Sequence, residues 1–265
     1  MKDYGEELFK GTAWYYSRYR PVYPSTLIRF LVDKFQLDGE GRLLDLGCGS
    51  GQLALRFTDW FEHIIGVDTE PEMLEEAERL TTEYRAGNMQ WIQARAEDIT
   101  PVWGDFRLAT IAKAFHWMDR DKVLDQLHAN LSSNGGIAII DHYNPDYEPQ
   151  AWQLKVNEIV RHWLGNERRA GNSTYTHPKE KYEDILSRSK FIRVENHRLP
   201  AYTYDWTIDS IIGNLYSTSF ASKRLLGDKV EYFENDLRQA LYGISSTGVL
   251  KEEMSLSVNL AFKGE

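Results

Sequence analysis

One run constrains this chain more than any other: Leu43-Leu44-Asp45-Leu46-Gly47-Cys48-Gly49-Ser50-Gly51. Arg42 to Leu46 is a short apolar stretch, the mark of a parallel strand buried on both faces. It runs straight into glycines spaced G-x-G-x-G, and Gln52 to Trp60 then reads as a helix. Glycine admits positive φ and lets a ligand approach the backbone closely. A helix start leaves N–H groups free. Strand, glycine turn and helix in series open an α/β sheet that binds a nucleotide or nucleoside at its strand ends.

The chain alternates from there. His63 to Val67 reads as a second strand, and Pro71 opens a helix to about Glu83, proline being favoured in a first helical turn. Met89 to Gln93 and Leu108 to Ala112 read as strands three and four. A helix follows over Asp121 to Leu131. Asn134-Gly135-Gly136 then turns into a fifth strand, Ile137 to Asp141. Such alternation implies a parallel sheet covered on both faces. Upstream, Ser25 to Phe35 spaces its apolar residues as a helix does. It follows an aromatic-rich segment ending in Arg20-Pro21-Val22-Tyr23-Pro24.

The pattern changes after Asp141. Helices are expected over Ala151 to Leu164, Lys179 to Ser189, Thr207 to Leu226 and Lys229 to Tyr242, with a polar loop over Gly165 to Pro178. Strands are expected over Phe191 to Leu199 and Ser255 to Phe262, which alternate apolar and polar residues. The expected fold is a Rossmann-like, seven-stranded, mostly parallel sheet with helices on both faces. The expected layout is a single domain over 1–265. Within it, 1–40 closes over the cofactor and 42–141 forms the binding core. Residues 142–190 and 200–245 are insertions over the strands' carboxyl ends, where open α/β sheets bind ligands.

Two acids narrow the ligand. Asp45 sits two residues before the first glycine, where a carboxylate repels a pyrophosphate but welcomes an ammonium or a sulfonium. Asp68 ends the second strand, about twenty residues on, the place for a carboxylate that holds ribose hydroxyls. The glycine spacing also departs from the G-x-G-x-x-G dinucleotide fingerprint. A nucleoside without phosphates, carrying a positive tail, satisfies each observation.

LLDLGCGSG, IIGVD, ARAED, AFHWMD and LSSNGG, in that order, resemble the class I S-adenosylmethionine-dependent methyltransferases, in particular the type 11 group. YRPVYP and AFHWMD also resemble the trans-aconitate methyltransferase-like subgroup. The resemblance covers about residues 12 to 141 and implies S-adenosylmethionine as cofactor. It implies that Gly47, Cys48, Gly49 and Gly51 shape the loop beneath the methionine part, with Asp45 near its ammonium. Asp68 would grip the ribose, Thr69 and Met73 would flank the adenosine, and Ala96 and Glu97 would meet the adenine edge. Lys113 would face the methionine portion through its backbone. Tyr19 and Arg20 would close over the cofactor, Arg20 pairing with its carboxylate. Many relatives carry Asp where this chain has Arg95, a departure at the adenine corner.

His116, after the fourth strand, and His142, after the fifth, stand where a general base or acceptor contact belongs; packing of the pocket wall is the bland alternative. His142 and Tyr143 mark one pocket rim. Cys48 reads as a small buried side chain rather than a catalytic thiol. Trp152, Trp163, Tyr175, Tyr202, Tyr204, Trp206 and Tyr216 either cage a cation or pack a core. Tyr216 to Phe220 is the expected lid.

Composition limits the partners. Net charge is -9, with no long basic run, which weighs against nucleic acid, whose binding rests on phosphate neutralisation. A single cysteine suits a reducing compartment. The start, MKDYGEELFK, lacks an apolar signal core, and no stretch reaches the length of a membrane span. The expectation is a cytoplasmic enzyme, without metal, that methylates O or N of a small-molecule metabolite or natural-product intermediate. An RNA-modifying methyltransferase or a non-catalytic cofactor-binding protein is the alternative. The sequence sets no oligomeric state.

Overall fold

Leu43 and Leu44 show how the sheet is built: neighbours in one strand, both fully buried, they enter different apolar layers. Successive strand side chains point to opposite faces. Leu44, Leu46, Ile65, Val67 and Ile139 therefore pack on one side, and Leu43, Ile64 and Ile140 on the other. A strand that is apolar at every position is thus a strand with two buried faces. The computed structural model describes residues 8–142, 147–167, 169–170, 173–174 and 180–264. Tyr143 and Tyr175 lie outside the described residues.

In chain order the elements begin with α1 (Ala13–Tyr19), α2 (Ser25–Phe35), β1 (Arg42–Leu46), β2 (His63–Asp68), α3 (Pro71–Tyr84), β3 (Met89–Gln93), β4 (Phe106–Ala112), α4 (Arg120–Asn130) and β5 (Leu131–Asp141). There follow α5 (Ala151–Leu164), a small hairpin of β6 (Arg169–Ala170) and β7 (Ser173–Thr174), α6 (Tyr182–Ser187) and β8 (Arg193–Arg198). The remainder is β9 (Tyr202–Thr207), α7 (Ile208–Tyr216), α8 (Lys223–Leu226), α9 (Val230–Ile244), β10 (Val249–Met254) and β11 (Ser257–Phe262). The main sheet has seven strands in the order β3-β2-β1-β4-β5-β11-β8. The first five run parallel, and β11 enters antiparallel between β5 and β8. Strand order reverses at β1, which pairs with both β2 and β4. The crevice at such a reversal is where these sheets bind ligands. The fold is the Rossmann-like one that the alternation predicts.

Several expectations are corrected. The helix expected over Gln52 to Trp60 is a short 3₁₀ turn, Ala54–Phe57. Leu55 N reaches Gly51 O four residues back, but Arg56 N to Leu53 O and Trp60 N to Phe57 O reach only three, all at 2.9 Å. The turn expected at Asn134 to Gly136 lies within β5 as an irregularity, with Asn134 at φ 61 and a register shift opposite Phe106 to Leu108. The long helix over Thr207 to Leu226 breaks after Tyr216. There Ser217 Oγ donates to Asn214 O and Thr218 Oγ1 to Leu215 O, at 2.5 and 2.7 Å, a competition with helical bonding that these side chains favour. The sequence pattern predicts neither the ribbon of β9 and β10 nor α1.

A third apolar cluster lies apart from the sheet. Trp152, Val156 and Ile159 from α5 meet Trp206, Tyr216, Phe233, Leu237 and Leu241 there. This cap therefore has a core of its own. It is tied to the N-terminal segment, where Tyr15 meets Tyr216 edge-on at 5.3 Å between centroids. Among the described residues no helix is long and apolar enough to cross a membrane.

Candidate active site

The site begins with the turn at the end of β1. Gly47 N and Cys48 N both donate to Val67 O, at 2.8 and 3.1 Å, which pins the loop to β2. Gly47 has φ +65, and a Cβ there would stand 2.5 Å from Ala114 Cβ. Gly49 has φ +53, and its missing side chain leaves room for Tyr16, whose Cε1 would be 3.3 Å from a Cβ. Both positions need glycine twice over, for backbone angle and for space. Behind the loop, the Trp91 ring fills the space beside Gly51 and Gly66. Cys48 is buried, and its thiol is pushed well up by burial, then by Asp68 and Asp45, which removes the thiolate a nucleophile needs.

Asp68 is where the sequence places it. One carboxylate oxygen accepts from Gly49 N at 2.8 Å and the other from Glu70 N at 3.0 Å. Each oxygen keeps a lone pair for a hydroxyl. Asp45 is 1% exposed and accepts a 2.6 Å bond from Thr110 Oγ1. Burial raises it to about 7, with Asp68 adding to the rise and Thr110 opposing it. A buried acid without a cation prefers its neutral form, and an ammonium beside it restores the charge. Glycine cradle, ribose-type acceptor and cation-seeking acid together fit S-adenosylmethionine.

The residues expected on the adenine side are more committed. Glu97 is 6% exposed; its carboxylate accepts from Asp119 N at 2.7 Å and lies 3.4 Å from Arg95 Nε. Arg95 thus pairs with the next acid along the chain. Ala96 and Met73 are buried, and Thr69 O receives Gln93 Nε2 at 3.3 Å.

The N-terminal segment covers the loop. Arg20 crosses the Tyr16 ring at 4.8 Å and donates Nε to Ser217 Oγ and Nη2 to Ser217 O, at 2.7 and 3.1 Å. The expected lid is therefore no exposed flap: Ser217 is fully buried, and Thr218 and Ser219 nearly so. Tyr19 fills the hollow left by Gly213 on α7. Ser17 and Arg18 hold Glu76 of α3 at 2.5 and 2.8 Å. Glu76 falls to about 2: burial works against this, and Arg79, Ser17 and Arg18 outweigh it.

The two histidines differ. His116 sits on the short turn Phe115–Trp117, its ring 4.6 Å from that of Trp117. His142 follows β5, and its Nδ1 lies 3.1 Å from Ser255 O. A carbonyl only accepts, so Nδ1 carries the proton and Nε2 keeps its lone pair. Burial and then the charge of Lys113 push His142 down to about 3, which keeps the ring neutral. Lys113 itself, one residue past β4, has φ 57 and is held by its N–H to Ile140 O at 2.8 Å.

Sequence reasoning missed Tyr16, Thr110 and Glu252, and it placed Ser217 only within the expected lid. Thr110 stands opposite Asp45 in the β1–β4 register, the lone polar residue between Leu108 and Ala112, and that was its signal. Glu252 of β10 accepts from Trp206 Nε1 at 2.7 Å, Gln153 Nε2 at 3.0 Å and Tyr147 OH at 3.2 Å. Trp152 and Trp206, 6.4 Å apart, pack the cap core, so neither cages a cation.

Comparison with known proteins points the same way. Residues 43–135 match the family model described as a methyltransferase domain. The probable S-adenosylmethionine-dependent methyltransferase CRG1 of Saccharomyces cerevisiae is 29% identical over 135 residues, 50% of this chain and 46% of that one. The uncharacterized methyltransferase YcgJ of Bacillus subtilis is 32% identical over 117 residues, 44% of this chain and 46% of its own. The chain spans about half the length of these curated relatives. The crystal structure of YcgJ superposes with a TM-score of 0.55 at 19% identity, covering 91% of this chain and 99% of that one.

Proposed function

We propose that this chain, which carries a methyltransferase domain on the Rossmann-like fold of the class I S-adenosylmethionine-dependent methyltransferases, methylates an oxygen or nitrogen of a small-molecule acceptor. One observation carries the reading: Asp68 is anchored by Gly49 N and Glu70 N beside a loop with a buried acid, Asp45, beneath it. That arrangement suits a cationic nucleoside and disfavours a pyrophosphate. When bound, the cofactor supplies an electrophilic methyl on a good leaving group, so the chain's own task is alignment and exclusion of water.

Alignment is the larger contribution, since orientation accounts for about 7–11 kcal/mol of such a barrier. Gly47, Gly49 and Gly51 give the cofactor's methionine part a close seat, and Asp68 holds the ribose. Tyr19 and Arg20 close the N-terminal side through α7. Ala96, Glu97, Thr69 and Met73 shape the adenine side, and His142 Nε2 accepts a hydrogen bond from a polar group of the acceptor other than the one methylated. Residues 142–190 and 200–245 select the acceptor. The resemblance of YRPVYP and AFHWMD to the trans-aconitate methyltransferase-like subgroup supports including small carboxylic acids in the acceptor panel.

Calorimetric titration with S-adenosylmethionine and S-adenosylhomocysteine, with NAD as control, tests the reading. Micromolar binding of the adenosyl pair and none of NAD is expected. A folded protein that binds neither adenosyl compound overturns it.

A further inference from the structure

We infer that the side-chain amine of Lys113 takes the proton that the methyl acceptor loses on transfer. The inference rests on the methyltransferase reading above and assigns to this side chain a role that the cofactor site leaves open.

Geometry comes first. Lys113 is the first residue past β4, and its φ of 57 lies in the left-handed region that non-glycine residues rarely adopt. Such a conformation persists only where surrounding contacts over-determine it. Here its N–H is bonded to Ile140 O, and the next residue, Ala114, abuts Gly47 of the loop. The backbone thus turns sharply between the glycine loop and the end of β5. Lys113 Nζ reaches a point 5.5 Å from the centre of the Tyr23 ring. Among the described residues no hydrogen bond or ion pair engages Nζ.

The groups acting on it come from every neighbouring wall. Arg20 follows α1; Asp141 ends β5 and His142 follows it; Glu252 belongs to β10; Tyr23 precedes α2. Burial, and then Arg20, bring the amine down to about 7, against the pull of Asp141 and Glu252. A proton acceptor works best when its pKa lies near the working pH. His142, at about 3, is the poorer store for a proton and the better orienting acceptor.

The charge balance then closes within the site. A sulfonium seated on the same loop adds a second cation near Lys113 and favours the neutral amine. As the acceptor's X–C bond forms, the methyl's bond to sulfur breaks and sulfur keeps the pair. The acceptor's X–H bond breaks, and its proton goes to the Nζ lone pair. The positive charge that enters on the cofactor remains as the Lys113 ammonium, and the net charge of the site is unchanged.

The test reads protons rather than turnover. In the full chain labelled with ¹³C-lysine, one Cε resonance is expected to titrate near pH 7 and to be missing from Lys113→Met; a Lys113 midpoint above about 9.5, in the ordinary lysine range, overturns the proposal. Calorimetry at pH 7 in buffers of different ionisation enthalpy gives the second readout. S-adenosylmethionine should release about half a proton more per site than S-adenosylhomocysteine, the share of an amine that is charged at its own pKa. Release from Asp45 is common to both ligands, because both carry the ammonium. The difference should vanish in Lys113→Met. Equal release by the two ligands in the parent chain, or an undiminished difference in Lys113→Met, sinks the role of Lys113 and leaves the methyltransferase reading standing. Binding of neither ligand sinks that reading instead.

Discussion

The sheet and the cap bury their apolar residues by different rules. In the sheet, burial follows chain order: Leu43 and Leu44, or Ile139 and Ile140, alternate between two layers because a strand alternates its side chains. In the cap, burial gathers residues far apart in sequence, Trp152 and Val156 from α5 with Trp206, Tyr216 and Phe233. The sheet holds the loop and both acids in a fixed frame. Among the described residues the cap meets that frame chiefly at α1 against α7 and at Arg20 on Ser217. The part that carries the glycine loop and its two acids is thus set by local pattern, and the cap is a separate core that can change without disturbing the first.

Substitutions can break or sharpen that division. The largest effect is expected from Phe233→Ala, which empties a fully buried site in the cap and costs about 3–5 kcal/mol. Hydrogen exchange should then show α5, α7 and α9 opening while β1, β2 and β4 stay protected; equal loss of protection in the sheet would mean that the two cores are one.

Asp45→Asn addresses the sheet side. The folded carboxyl, at about 7, lies above its free value of 3.8, so the folded state binds the proton more tightly. The Asp45 share of stability should fall as pH rises from about 4 to 7, by at most about 1.4 kcal/mol per pH unit, and level off above. His142, held down at about 3, adds a rise of opposite sign over most of that range in parent and variant alike. Asn keeps the bond from Thr110 and removes only the Asp45 share, so thermal melts should show the parent losing stability relative to the variant between about pH 4 and 7. A difference between the two that does not change with pH removes Asp45 as its source.

Asp68→Ala should weaken cofactor binding by about 1.5–3 kcal/mol, the worth of hydrogen bonds to a charged acceptor, with the cap's exchange rates unaltered. Unchanged affinity by calorimetry removes Asp68 from the site. The smallest effect belongs to the seam: Arg20→Ala deletes two bonds to Ser217 and should cost about 1 kcal/mol. Exchange at α7 should quicken, and exchange in β4 should not.

Why the sequence reveals one region better than the other follows from the same contrast. The strands through β5 are readable because period-two burial and glycine turns are local signals. The acids Asp45 and Asp68 are readable because they sit at fixed offsets from the first glycine. Gln52 to Trp60 misleads, because its apolar spacing suits an α-helix while its bonds draw it into a 3₁₀ turn. Tyr202 to Thr207 hides a strand whose partner, Val249 to Met254, lies beyond three helices. Arg20 meeting Ser217 spans 197 positions, and no local pattern encodes such a pair.

The place of β11 has a consequence for how the molecule is made. It lies between β5 and β8, yet it follows both of them and the whole cap in the chain. A chain leaving the ribosome can zip β1 to β5 together early, but β5 then presents an open edge through the synthesis of more than a hundred further residues. Unpaired edges recruit foreign strands. The ribbon, the cap helices and β8 must all be set aside before β11 can slot home, so slow synthesis downstream of Asp141 prolongs the interval in which the nascent chain is most exposed to aggregation.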